Sequence, residues 1–145
     1  MSAGAGLTHS EFNLADKPDH FYQIWIFPDQ KGLTPSYDQK SYATGDWHNR
    51  LFPLASGQNI AGAVTFHTDA TIYRCDLEAG KEITHQAAAH RRIFIYLTNG
   101  HIKVNSQDLA AKDQARIDSH EPLVFSAQER SDFILIDFPS NQGLW

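Results

Sequence analysis

Eight histidines stand among 145 residues, and two of them lie in patterns that could do chemistry. The first is the run from Gly80 to Gly100, which carries His85, Ala87, His90, Arg91 and Arg92. A His-x-His pair on a strand points both imidazoles to one face, and a glutamate and a later histidine then complete an octahedral metal site with open positions. Here His85 has Ala87, not a second histidine, two residues on, and Arg91 and Arg92 follow without a nearby carboxylate. A fixed cation beside a cavity opposes a second one, so no metal is expected inside, and His85 and His90 read as structural or surface residues. Should the interior take a small molecule instead, His85, Tyr73, Arg74 and Tyr96 are the expected polar contacts. The second pattern is His9-Ser10-Glu11. In an extended chain these side chains face one way and can ligate Fe, Mn, Ni or Zn, but two ligands are too few. His20, His48 and His120 sit in polar or turn-like surroundings and read as surface residues.

The elements that would position these residues are strands. Phe21–Phe27 is aromatic and β-branched and ends at Pro28, which predicts a strand. The stretch 29–57, punctuated by Gly32, Pro35, Gly45, Pro53 and Gly57, predicts an extended connection. Short apolar runs then recur at Gly62–Phe66, Ala70–Leu77, Glu82–Gln86, Arg92–Leu97, His101–Val104, Gln114–Ile117, Leu123–Ser126 and Phe133–Phe138. Glu78-Ala-Gly80, Thr98-Asn-Gly100, Asn105–Asp108 and Ala127–Ser131 separate them as turns, with Asn99-Gly100 the strongest hairpin signal. Ile93, Ile95 and Leu97 against Phe94 and Tyr96 make a strand apolar on both faces, as the middle of a sandwich requires. No helical period persists. The expected fold is all-β, an antiparallel jelly-roll sandwich.

Composition narrows the partners. Twelve Lys+Arg against 17 Asp+Glu give a formal charge of -5, with no basic block to neutralise a phosphate backbone, so nucleic acid is not an expected ligand. No apolar run approaches the ~20 residues that cross a bilayer, and no secretory signal opens the chain, so no membrane partner is expected. The single cysteine, Cys75, sets no need for an oxidising compartment, and a cytoplasmic location is expected. The length suits one core. It divides into an arm at 1–20, a strand and connection at 21–50, and the main domain at 51–145.

The frame of a glycine, His85, the residues after it and the closing Gly100 resembles the first motif of the cupins, in broken form. A wider resemblance covers nearly the whole chain. Met1–Asn13, Tyr22–Pro28, Gly32–Lys40, Thr84–Arg92 and Leu135–Pro139 closely resemble the middle and end of pirin-like bicupins, a family that includes bacterial quercetin 2,3-dioxygenases. The resemblance implies two cupins with one metal in the first, held by a His-x-His pair, a later histidine and a glutamate two residues on. His9 and Glu11 match the last two, and the His-x-His pair would fall upstream of Met1. The implied organisation is the last strands of a metal cupin joined to a complete, metal-free second cupin.

The leading expectation is therefore a pirin-like C-terminal cupin without autonomous dioxygenase activity, acting as a structural, ligand-binding or partner-binding module. No cofactor is expected; if one binds, it is a divalent transition metal (Fe, Mn, Ni, Cu or Zn). One alternative is a quercetin 2,3-dioxygenase-like oxygenase acting on a flavonol with His9 and Glu11 as ligands, and another is a small-molecule-binding sensor or isomerase. Besides a small-molecule or protein partner, a two-fold homodimer through the 21–27 strand and the arm is expected, because an uncovered apolar edge is a template for a second chain.

Overall fold

The strand signals become ten strands in the computed structural model, which describes residues 1–118 and 121–140. In chain order they are β1 (Phe52–Ser56), β2 (Val64–Thr65), β3 (Thr71–Leu77), β4 (Glu82–His85), β5 (Arg91–Asn99), β6 (His101–Val104), β7 (Gln107–Ala110), β8 (Gln114–Asp118), β9 (Leu123–Ala127) and β10 (Ser131–Pro139). They form two sheets, a six-stranded one in the order β2-β1-β3-β10-β5-β8 and a four-stranded one in the order β4-β9-β6-β7. The all-β sandwich is as expected. From β3 onward the chain alternates between the sheets at nearly every turn, the winding of a jelly roll.

Period-two alternation builds the core. Ile93, Ile95 and Leu97 of β5, Phe133 and Leu135 of β10, and Cys75 and Leu77 of β3 face inward and are fully buried. They meet Ile102, Phe125 and Leu123 of the smaller sheet, and the Phe125 and Phe133 rings stack with centroids 5.3 Å apart. Burial pushes the Cys75 thiol up to about 12, aided by the charges of Asp76 and Asp132, so this cysteine is an inert core residue. Among the described residues no helix is long and apolar enough to cross a membrane.

Several local expectations change. Phe21–Phe27 is extended but joins no ladder. Its aromatic and β-branched composition predicts cover, but Phe21, Trp25 and Phe27 stay largely exposed and only Ile26 is half-buried. Asn99-Gly100 is not a hairpin either: β5 and β6 lie in different sheets, so the pair turns the corner between them. Gly100 has φ +95, and a Cβ there would lie 2.6 Å from the Arg130 carbonyl oxygen. The Asn-Gly signal reports a left-handed backbone, which a corner needs as much as a hairpin does. The true tight hairpin is β6–β7 around Asn105 and Ser106, so the turn expected at Asn105–Asp108 is shorter and Gln107–Ala110 is a strand. Phe52–Ser56, placed in the connection because of Pro53, is a strand as well, and β1 pairs with β2 in parallel. His120 lies outside the described residues.

Candidate functional site at the mouth of the sandwich

Four strand ends converge at one end of the sandwich: the start of β3, the end of β4, the start of β5 and the end of β10. Strand parity points Tyr73, His85, Arg91 and Asp137 inward there. Asp137 shares its face with Phe133 and Leu135, and Arg91 shares its face with Ile93 and Ile95, so an acid and a base enter the end of an apolar core. Neither could remain there alone, because an unpaired buried charge is strongly disfavoured. They are paired. Arg91 Nε donates to Asp137 Oδ1 at 2.6 Å, Nη2 donates to the Asp137 carbonyl oxygen at 3.1 Å, and Nη1 donates to Asp69 Oδ2 at 2.8 Å. The remaining Asp137 oxygen meets His85 Nε2 at 2.9 Å. The Arg91 side chain is only 8% exposed, and those of His85 and Asp137 are 12% exposed. Tyr73 packs edge-on to His85 with centroids 5.6 Å apart.

Charge follows from this geometry. Burial opposes ionisation of Asp137, but hydrogen bonds from His85 and Arg91, with the Arg91 charge, outweigh it and hold its carboxyl below the ordinary 3.8. Burial likewise works against the charged form of Arg91, and Asp137 and Asp69 more than offset it. Tyr73 is raised, first by burial and then by the Asp137 charge. The mouth therefore holds a fixed internal cation, neutralised by two carboxylates.

This arrangement does not fit a bound metal. Both Asp137 oxygens are engaged, one by a guanidinium, and the His85 nitrogen nearest the cluster already meets the carboxylate. Ala87, where a second imidazole would stand, packs against the core. Among the described residues, no group of three or more His, Cys, Asp and Glu side chains is placed to hold a metal ion.

Of the residues expected in an interior pocket, His85 and Tyr73 come together, whereas Arg74 and Tyr96 do not. Parity turns Arg74 outward, where its guanidinium pairs with both Asp132 oxygens and lies 4.5 Å from the Trp47 ring centre. Tyr96 also faces outward and packs edge-on to Tyr22 at 5.7 Å. Arg92, next to Arg91 but on the opposite face, pairs with the exposed Asp118. His9 Nε2 lies 3.7 Å from Glu11 Oε1, both well exposed, beside a cavity of about 590 Å³ that Tyr37 and Pro35 also line. That brings the two together but adds no third ligand. His48, expected to be a plain surface residue, bridges Asp76 at 3.2 Å and Glu78 at 3.4 Å and latches the 3-10 turn at Thr44–Trp47 to β3.

Sequence reasoning passed over Asp137 and Asp69. A usable signal existed for Asp137: it is the one charged residue at the inward parity of Phe133–Phe138.

Comparison with known proteins gives a consistent pattern. Residues 53–138 match the family model described as the quercetinase C-terminal cupin domain. The quercetin 2,3-dioxygenase of Escherichia coli K12 is 31% identical over 147 residues, covering 96% of this chain and 59% of that protein. A pirin-like protein of Caulobacter vibrioides is 33% identical over 138 residues, covering 94% of this chain and 60% of the relative. The chain thus spans about three-fifths of the length of these relatives. The crystal structure of YhhW from Escherichia coli superimposes with a TM-score of 0.74 at 27% identity, over 79% of this chain and 48% of that one. A second structure, of the bacterial pirin YhhW from the same organism in complex with nickel(II), gives 0.72 at 28% identity over the same shares of the two chains.

Proposed function

The chain belongs to the pirin family, of which it carries the C-terminal cupin, and from that footing we propose that it works as a metal-free cupin module, structural or partner-binding, without autonomous dioxygenase activity. The observation that carries this reading is the Arg91 guanidinium inside the mouth. A metal cupin gathers neutral imidazoles and carboxylates around an empty centre, with coordination positions left for substrate. Here an organic cation holds the centre and its carboxylate partners are saturated. Flavonol oxygenation depends on a redox-active metal rather than on side chains, and a mouth centred on a guanidinium offers such a metal no ligand set. The cytoplasm is the proposed compartment, since the buried Cys75 asks for no oxidising one.

A second reading, a quercetin 2,3-dioxygenase-like oxygenase, draws on the approach of His9 to Glu11 and on the names of the relatives. It requires further ligands from outside the pair. The two readings separate in one assay: the chain is mixed with quercetin in air in the presence of Fe(II), Mn(II), Ni(II), Cu(II) or Zn(II) in turn. The expected result is flavonol loss no faster than with the free metal. Turnover above that blank, abolished by Glu11→Gln, would overturn the first reading and establish the second.

A further inference from the structure

We propose that Asn99 is a self-modifying site, at which the Gly100 backbone nitrogen displaces the side-chain amide and the resulting ring opens to aspartate and isoaspartate. The proposal is independent of the mouth and rests on the corner between β5 and β6.

The chemistry is intramolecular and needs only water. The Gly100 nitrogen attacks Asn99 Cγ, a C–N bond forms there, and the bond from Cγ to Nδ2 breaks. Ammonia leaves with the proton given up by the attacking nitrogen, and a five-membered succinimide remains. Water opens this ring at one carbonyl to give aspartate, or at the other to give isoaspartate, whose main chain runs through the former side chain. Three conditions favour the first step: a following residue without a side chain to block the approach, an attacking N–H with no hydrogen bond to break, and a side-chain amide that no partner holds.

Asn99 meets all three. Gly100 follows it. Among the described residues the Gly100 backbone N–H donates no hydrogen bond and the Asn99 amide has no partner, exposed at the end of β5. The flanks are held instead: Lys112 Nζ donates to the Thr98 carbonyl oxygen at 2.7 Å, and the His101 N–H donates to Ser131 Oγ at 3.0 Å. The other described asparagines fail at least one condition. Asn49 commits both ends of its amide to Glu78, Asn13 bonds Ala15 and Lys17, and Asn105 Oδ1 accepts the Val124 N–H. Asn59 precedes Ile60, whose branched side chain crowds the attacking nitrogen.

The corner also decides what the product does. Gly100 has φ +95, and a Cβ there would overlap Ser131 Oγ. A main chain lengthened by isoaspartate does not fit that path, so the corner must open. Either product adds one negative charge to the formal -5 and sets it opposite Asp132, the cross-strand partner of Asn99, where like charges repel.

The test incubates the native chain, Asn99→Gln and a free peptide with the sequence of 97–101 at mildly alkaline pH. Mass spectrometry then locates each exchange of an amide NH2 for OH, and enzymatic methylation counts isoaspartate. The native chain should convert at Asn99 before any other described asparagine, within about tenfold of the peptide's rate. Isoaspartate should be among its products, and the converted chain should unfold at a lower temperature than the fresh one. Asn99→Gln, whose ring would have six members, should keep its amide and the native circular dichroism throughout. An Asn99 amide that survives after the free peptide has converted would overturn the proposal, as would earlier conversion at another described asparagine or an equal mass gain at position 99 in Asn99→Gln. An isoaspartate-bearing chain with the fresh chain's midpoint would overturn the strained corner.

Discussion

Arg91→Ala should destabilise the fold by about 3–5 kcal/mol, the usual consequence of removing one partner from a buried ion pair. Asp137 would keep its place behind the Phe133 and Leu135 side chains but lose the guanidinium that holds its charge. For a chain of this size that is a drop of roughly 10 °C in Tm, since about 2–4 °C accompanies each kcal/mol. Thermal unfolding followed by circular dichroism reads it. Arg92→Ala is the internal control, because its partner Asp118 is exposed and its loss should leave the midpoint close to native. Pairing the change with Asp137→Asn should recover part of the loss, as removing both charges leaves nothing unpaired.

The same contact sets the acid limit of stability. The Asp137 carboxyl is held below 3.8 in the folded chain, so its contribution is fully present above that value and disappears as the pH falls through the lower, folded one. Asp76 acts in the same direction, held down first by its hydrogen bond from Arg130 and further by His48. The native chain should therefore keep its stability down to about pH 4 and lose it below. In Arg91→Ala the acid limb should move to higher pH, because burial then acts on Asp137 with only His85 to oppose it. A variant with the native acid limb would show that Arg91 does not set the Asp137 charge.

Phe133→Ala should cost a similar amount, about 3–5 kcal/mol, for a different reason. Its ring is fully buried and stacked on Phe125, the contact that ties the two sheets together at the centre of the core. Truncation removes that transfer energy and leaves a cavity that strands on both sides prevent from closing. Phe133→Leu, which restores most of the volume, should cost less than about 1.5 kcal/mol. No charge is involved, so urea titrations at different pH values should give the same difference from native in each. A pH-dependent difference would mean that the core stack and the mouth are coupled.

Much of the strand pattern is legible in the sequence because it is written locally. Ile93, Ile95 and Leu97 mark the inward face of β5 through period two alone, and the runs at His101–Val104 and Leu123–Ser126 lie within a residue of the observed strands. Pairing is a long-range property, and the sequence is silent on it: nothing local says that β10 lies between β3 and β5, or that Asn99-Gly100 turns between sheets. Phe21–Phe27 misleads for a related reason. Aromatic and β-branched residues report a surface that wants cover, and here the segment lies beside the larger sheet without entering a ladder.

The mouth is half legible. His85 with Ala87 at the second position announces a broken metal motif, and Arg91 announces a cation. That Arg91 reaches Asp137, some 46 positions away in sequence, needs the register of β5 on β10. Parity also separates residues that adjacency suggests should act together: Tyr73 turns in and Arg74 turns out, and Arg91 and Arg92 divide in the same way.

Metal content after equilibration decides what the mouth is for. The native chain and His85→Ala are each incubated with Fe(II), Mn(II), Ni(II), Cu(II) or Zn(II), freed of excess and analysed for bound metal. With the Arg91 guanidinium at the centre of the mouth, neither protein should retain a stoichiometric metal, and His85→Ala should match the native chain for every ion. One equivalent held by the native chain and lost in His85→Ala would contradict the account, because it would place a metal where the structure places an arginine.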